Sequence, residues 1–142
     1  MVFKVDKELQ EIVKETIAAY EQFEILNDAR ILVLYCDQDK KSRGKRVFAD
    51  TKKTNDLYEF ITGYDFIITF YAGVEMMSAS ALRVLAYHEL LHVGYEVRGM
   101  SVVKRIIPHD VEDFRDVIGR FGVDWPLLSD KDEDPAGIAA GD

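Results

Sequence analysis

Between Asp6 and Leu26 the apolar residues Leu9, Ile12, Val13, Ile17, Tyr20 and Phe23 recur at three- and four-residue steps. That spacing predicts one amphipathic helix, with Asp6 as its cap. The period then changes. Arg30 to Cys36 (Arg-Ile-Leu-Val-Leu-Tyr-Cys) is short and almost continuously apolar, and Val47 to Ala49 resumes a strand-like pattern after a polar connection, which together predict a hairpin. Tyr58 to Ile61 fits either helix or strand. Asp65 to Tyr71 reads as a buried strand followed by a loop through Gly73.

From Ser78 to Val93 apolar groups fall on nearly every face of a helical projection, so this helix belongs inside the protein, with Gly94 suited to end it in the left-handed conformation. Val102 to Ile107 suggests a short strand. Val111, Phe114, Ile118 and Phe121 suggest a last helix, with Asp110, Glu112 and Asp113 at its positive end and Gly122 as its stop. Ser129 to Asp142 is acidic and rich in small residues, and is expected to be a mobile tail. The pattern therefore predicts one domain over residues 1–128 with a tail over 129–142. Its class is α+β, a small mixed sheet of three or four strands backing a buried helix.

Composition narrows the partners. The chain has 142 residues, 48% of them apolar, and a formal net charge of −8 from 18 basic and 26 acidic groups, which opposes general attraction to nucleic acid. The longest apolar stretch, Phe66 to Val74, is less than half of a bilayer span. The N-terminus lacks the basic start and apolar core of a secretory signal, which makes the cytoplasm the expected location, with no membrane partner. Cys36 is the single cysteine and cannot form an internal disulfide, so the fold rests on its core, on a bound metal, or on both.

Inside the buried helix lies His88-Glu89-Leu90-Leu91-His92, an H-E-x-x-H motif. Four residues are slightly more than one helical turn, so His88 and His92 project from one face and their imidazoles can converge on an ion. In the zinc-hydrolase reading they hold Zn2+ at about 2.0 to 2.1 Å. Glu89 then takes a proton from a water that the metal has acidified, as that water attacks a carbonyl, and returns it to the leaving amine. The alternative is a pair of structural histidines. Burying three ionisable groups unpaired in an apolar helix costs several kcal/mol, whereas a structural zinc site returns about 10 to 16 kcal/mol.

A zinc site needs a third ligand, and the chain holds only three histidines. His109 lies seventeen residues beyond His92, a gap long enough for the chain to turn back and present it to the open side of the metal. Glu112 and Glu96 compete for that position, and Asp110 or Asp113 could orient a ligating imidazole through its other nitrogen. The motif does not continue as in metzincins, since Tyr95 and Arg98 stand where their glycine and third histidine would be.

Tyr87 to Val93, Pro108 to Phe114 (Pro-His-Asp-Val-Glu-Asp-Phe) and Phe121 to Trp125 (Phe-Gly-Val-Asp-Trp) together resemble the metallopeptidases of phages and prophages, a family distantly similar to the SprT-type zincins. The resemblance runs from about Arg30 to Trp125. It implies a zincin-like fold, with His88, His92 and His109 as metal ligands and Glu89 as the catalytic acid and base. By the same resemblance the strand Asp65 to Tyr71 would stand where zincins pair an extended peptide or protein substrate.

Other features carry weaker expectations. Lys40-Lys41-Ser42-Arg43-Gly44-Lys45-Arg46 places five cations in seven residues, a solvated loop or, for a DNA-associated zincin, the nucleic-acid contact. Tyr87 and Tyr95 flank the motif and either pack or stabilise an oxyanion. Phe121 and Trp125 read as core anchors, and Met76 and Met77 as space-fillers. Zinc-dependent peptide hydrolysis is the function expected. A non-catalytic interaction module whose ion only locks the fold is the alternative from another class.

Overall fold

The computed structural model describes residues 1–109 together with residues 117, 120 and 121. After a short strand β1 (Phe3–Val5), helix α1 covers Lys7–Ala19, capped as expected by the Asp6 carboxylate, which accepts from the Leu9 N–H at 3.0 Å. The single helix expected to Leu26 is broken at Tyr20, which is extended, and Glu21–Asp28 continues as a 3-10 helix. A 3-10 helix repeats every three residues. It therefore brings Tyr20, Phe23 and Leu26 to one side, and all three are buried. The three-residue steps of the sequence were the tighter helix's own period.

Strand β2 (Ile31–Cys36) pairs antiparallel with β1 and parallel with β6 (Phe66–Tyr71), and β6 pairs antiparallel with β5 (Ala49–Lys53). The resulting sheet has the order β1-β2-β6-β5, so the fold is α+β with a mixed four-stranded sheet, as expected. The hairpin expected between 30–36 and 47–49 does not form, because β6 is inserted between β2 and β5. The polar connection makes its own hairpin instead, β3 (Lys40–Ser42) with β4 (Lys45–Val47). Its two-residue turn puts both Arg43 and Gly44 at positive φ, 53° and 75°, which suits the right-handed twist of the flanking strands.

Phe66, Ile68 and Phe70 project from one face of the interior strand β6 and are fully buried. The segment of ambiguous pattern is a short helix α2 (Asp56–Thr62), capped by Asn55 and ended by Gly63 at φ 81°. Helix α3 (Ala79–Leu91), capped by the Ser78 hydroxyl, packs against α1 and against β5. It is buried on most sides, as its sequence demands. The interior joins Val84, Leu85 and Leu90 of this helix to Leu9 and Val13 of α1 and to the sheet.

Helix α3 stops earlier than its pattern suggests. His92 is its C-cap, and Val93 opens strand β7 (Val93–Arg98), which forms a hairpin with β8 (Ser101–Ile106). Gly94 is thus a strand residue at ordinary φ rather than a left-handed helix stop. The need for glycine there is one of space, since a Cβ would stand 2.6 Å from Arg105 Cγ and 2.9 Å from the Arg105 carbonyl oxygen. Phe121 is buried and meets the Tyr87 ring at 5.4 Å, consistent with an anchor. Val117, Arg120 and Phe121 are helical, while the rest of the last helix expected from Val111, the anchor Trp125 and the tail from Ser129 lie outside the described residues. Met77 packs on the core, whereas Met76 is exposed.

Candidate metal centre

His88 stands in the last turn of α3, and the cap residue His92 keeps helical backbone angles (φ −75°, ψ −18°), so the four-residue spacing holds both rings on one face. Their centroids are 5.2 Å apart. From His92 the chain runs out along β7 and returns along β8, with Val93 opposite Ile106 in the register. That closure returns the chain to its starting point beside the helix end. Three residues beyond Ile106 comes His109, whose ring centroid lies 4.8 Å from that of His88 and 4.5 Å from that of His92.

The ligand-capable atoms of His88, His92 and His109 all lie within 4.8 Å of one another. The Nε2 atoms of His88 and His109 are 2.9 Å apart. Two nitrogens bound to one zinc at about 2.0 to 2.1 Å, at the tetrahedral angle, stand about 3.3 Å apart. Seating a cation between His88 and His109 therefore needs a small separation of that pair, and the 4.8 Å span of the cluster keeps His92 within reach of the same ion. His92 Nδ1 donates to the Ile107 carbonyl oxygen at 2.7 Å, which fixes the tautomer and leaves the Nε2 lone pair for a metal. Three imidazole ligands suit a transition-metal ion better than magnesium or calcium.

Glu89 is 3% exposed, and a carboxylate so deeply buried is costly unless bonded. The Thr51 hydroxyl on β5 supplies a bond to Oε1 at 2.8 Å, while Oε2 lies 3.9 Å from His88 Nε2. Sequence reasoning missed Thr51, which lies thirty-eight positions upstream on a strand of unremarked pattern. It also missed the Ile107 carbonyl, which has no side-chain signature.

Of the competing ligands, Glu96 lies among the described residues. Glu96 sits on the exposed half of β7 and pairs with Arg98 at 3.1 Å, a contact that holds its carboxyl below the usual range. It is not part of the histidine cluster. Glu112, Asp110 and Asp113 lie outside the described residues. Tyr87 is fully buried in an aromatic cluster with Tyr20 and Phe23, and its hydroxyl accepts from Gln22 Nε2 at 2.9 Å, so its role is packing. Tyr95 likewise packs against the core.

A family model described as putative phage metallopeptidase matches residues 1–131. The chain belongs to that family. Comparisons with curated proteins and with solved structures find no match. The family and the histidine cluster agree in pointing to a bound metal ion.

The strand expected to face a substrate is placed differently. The strand Asp65 to Tyr71 lies inside the sheet as β6, and β5 takes the edge beside α3. Of the five cations in the basic segment, Lys40 is paired with Asp50, and Arg46 donates to Asp39 and to the Ala72 carbonyl at 2.8 Å each. Those two are engaged within the protein. Among the described residues no helix is long and apolar enough to cross a membrane.

Proposed function

We propose that this protein is a zinc-dependent hydrolase of peptide bonds, in which His88, His92 and His109 hold the ion and Glu89 carries the proton. The observation that supports it most is the convergence of three imidazoles from two separate chain segments, with a buried carboxylate oxygen 3.9 Å from one of them. When bound, zinc would act as a Lewis acid and lower the pKa of water to about 7.

The chain's own groups account for the rest. Glu89 accepts the proton of the attacking water and delivers it to the amine that leaves, so the C–N bond breaks without a free amide anion. The His92 ring is fixed by Ile107. The substrate is a peptide or protein segment, for which β5, the terminal strand of the sheet and the one that carries the Glu89 partner Thr51, is the pairing strand in place of the interior strand first expected.

Zinc-loaded protein assayed on an unfolded polypeptide should cleave it. Glu89→Gln should lower the rate by about 100- to 10,000-fold, the usual worth of general acid–base catalysis, while zinc content holds. A Glu89→Gln variant as fast as wild type, or a fully loaded wild type that cleaves nothing, would contradict the proposal. The second of these results would favour a metal-locked interaction module.

A further inference from the structure

We infer that Thr51 is a positioning residue that aims the Glu89 carboxylate, and so couples the edge strand to the proton carrier. This rests on the reading of Glu89 given above. Thr51 Oγ1 lies 2.8 Å from Glu89 Oε1 and 3.2 Å from the Glu89 carbonyl oxygen. A hydroxyl has one proton to donate, and the shorter, charge-assisted contact is the stronger of the two. Holding Oε1 against β5 leaves Oε2 on the side of His88.

The backbone makes this hold rigid. Thr51 is opposite Ile68 in the β5–β6 register, so the two side chains share one face of the sheet, and the contacts of Thr51 with Glu89 make that face the one toward α3. A β-branched residue also has few rotamers, which limits where its hydroxyl can point. A serine could make the same bond, whereas valine matches the shape and removes the donor. Glu89 in the valine variant would keep its burial and lose the hydroxyl that holds Oε1.

The test compares Thr51→Val and Thr51→Ser in zinc-loaded and metal-free protein. Thr51→Val should lose about 10- to 100-fold in kcat, as for other partners that orient a reacting group, with KM and zinc content unchanged. Thr51→Ser should retain kcat within about twofold, because the donor is kept. Crystals of metal-free Thr51→Val should show the Glu89 carboxylate turned from its wild-type orientation. Should valine disturb the sheet, Thr51→Ala provides the same comparison.

Unchanged kcat in Thr51→Val, or a carboxylate that stays in place in the metal-free variant, would overturn the inference. A zinc-loaded wild type without peptidase activity would overturn the functional reading instead. The metal-free crystals would still decide whether Thr51 sets the carboxylate.

Discussion

His92 and Ile107 are bonded to each other twice. The Ile107 N–H donates to the His92 carbonyl at 2.8 Å, and His92 Nδ1 donates back to the Ile107 carbonyl at 2.7 Å. The helix end that carries two histidines is thereby clasped to the segment that carries the third. The geometry predicts that His92 is the Nδ1–H tautomer before any metal binds. Long-range 1H–15N NMR of metal-free protein at neutral pH should show the proton on Nδ1, and a proton on Nε2 alone would contradict the bond to Ile107.

Gly94 is where that clasp is most sensitive to size. Its Cβ position lies 2.9 Å from a backbone oxygen of β8, which cannot move aside as a side-chain tip could. Gly94→Ala should destabilise the protein by about 1 to 3 kcal/mol, in the range of overpacking, and should weaken metal retention because the hairpin is displaced. Urea unfolding with and without metal measures both effects. Unchanged stability would show that the hairpin is loosely held.

Tyr87 adjoins the motif in sequence but faces the aromatic core. Tyr87→Phe should cost about 0.5 to 1.5 kcal/mol through the lost Gln22 bond and leave kcat unchanged. A large fall in kcat at full metal content would restore the oxyanion role.

Tyr71 provides a pH signature of the opposite side of the sheet. Burial, the hydrogen bond that its hydroxyl donates to Asp50 at 2.7 Å, and the Asp50 charge all push its pKa above the ordinary tyrosine value. A raised folded-state pKa means that the unfolded chain loses this proton first. The contribution is therefore complete below about pH 10 and falls as pH rises beyond it. Tyr71→Phe should flatten that alkaline decline in denaturation experiments at successive pH values, and an equally steep decline would refute the assignment.

Much of the candidate site could be read directly from residue order. Helical spacing brought His88 and His92 to one face, and the scarcity of histidine made His109 the natural third. The elements that needed tertiary information were those whose signal is not local. Strand order depends on which chain segments meet, so the insertion of β6 between β2 and β5 had no marker in the sequence. Tyr20, Phe23 and Leu26 satisfy both the 3-10 and the α-helical period at their spacing, and only the extended backbone at Tyr20 separates the two. Gly94 looked like a helix stop because glycine serves close packing and left-handed turns alike. Thr51 became visible as a partner of Glu89 only when β5 was laid beside α3.

Three histidines that share one ion must hold it together, and zinc per chain, read by elemental analysis after reconstitution and desalting, reports whether they do. Wild type should retain one zinc per chain. His109→Ala should lose affinity by at least the 10- to 100-fold that even outer-shell changes cause. Wild type that retains no metal, or a His109→Ala variant that holds it as tightly as wild type, would contradict the three-histidine centre.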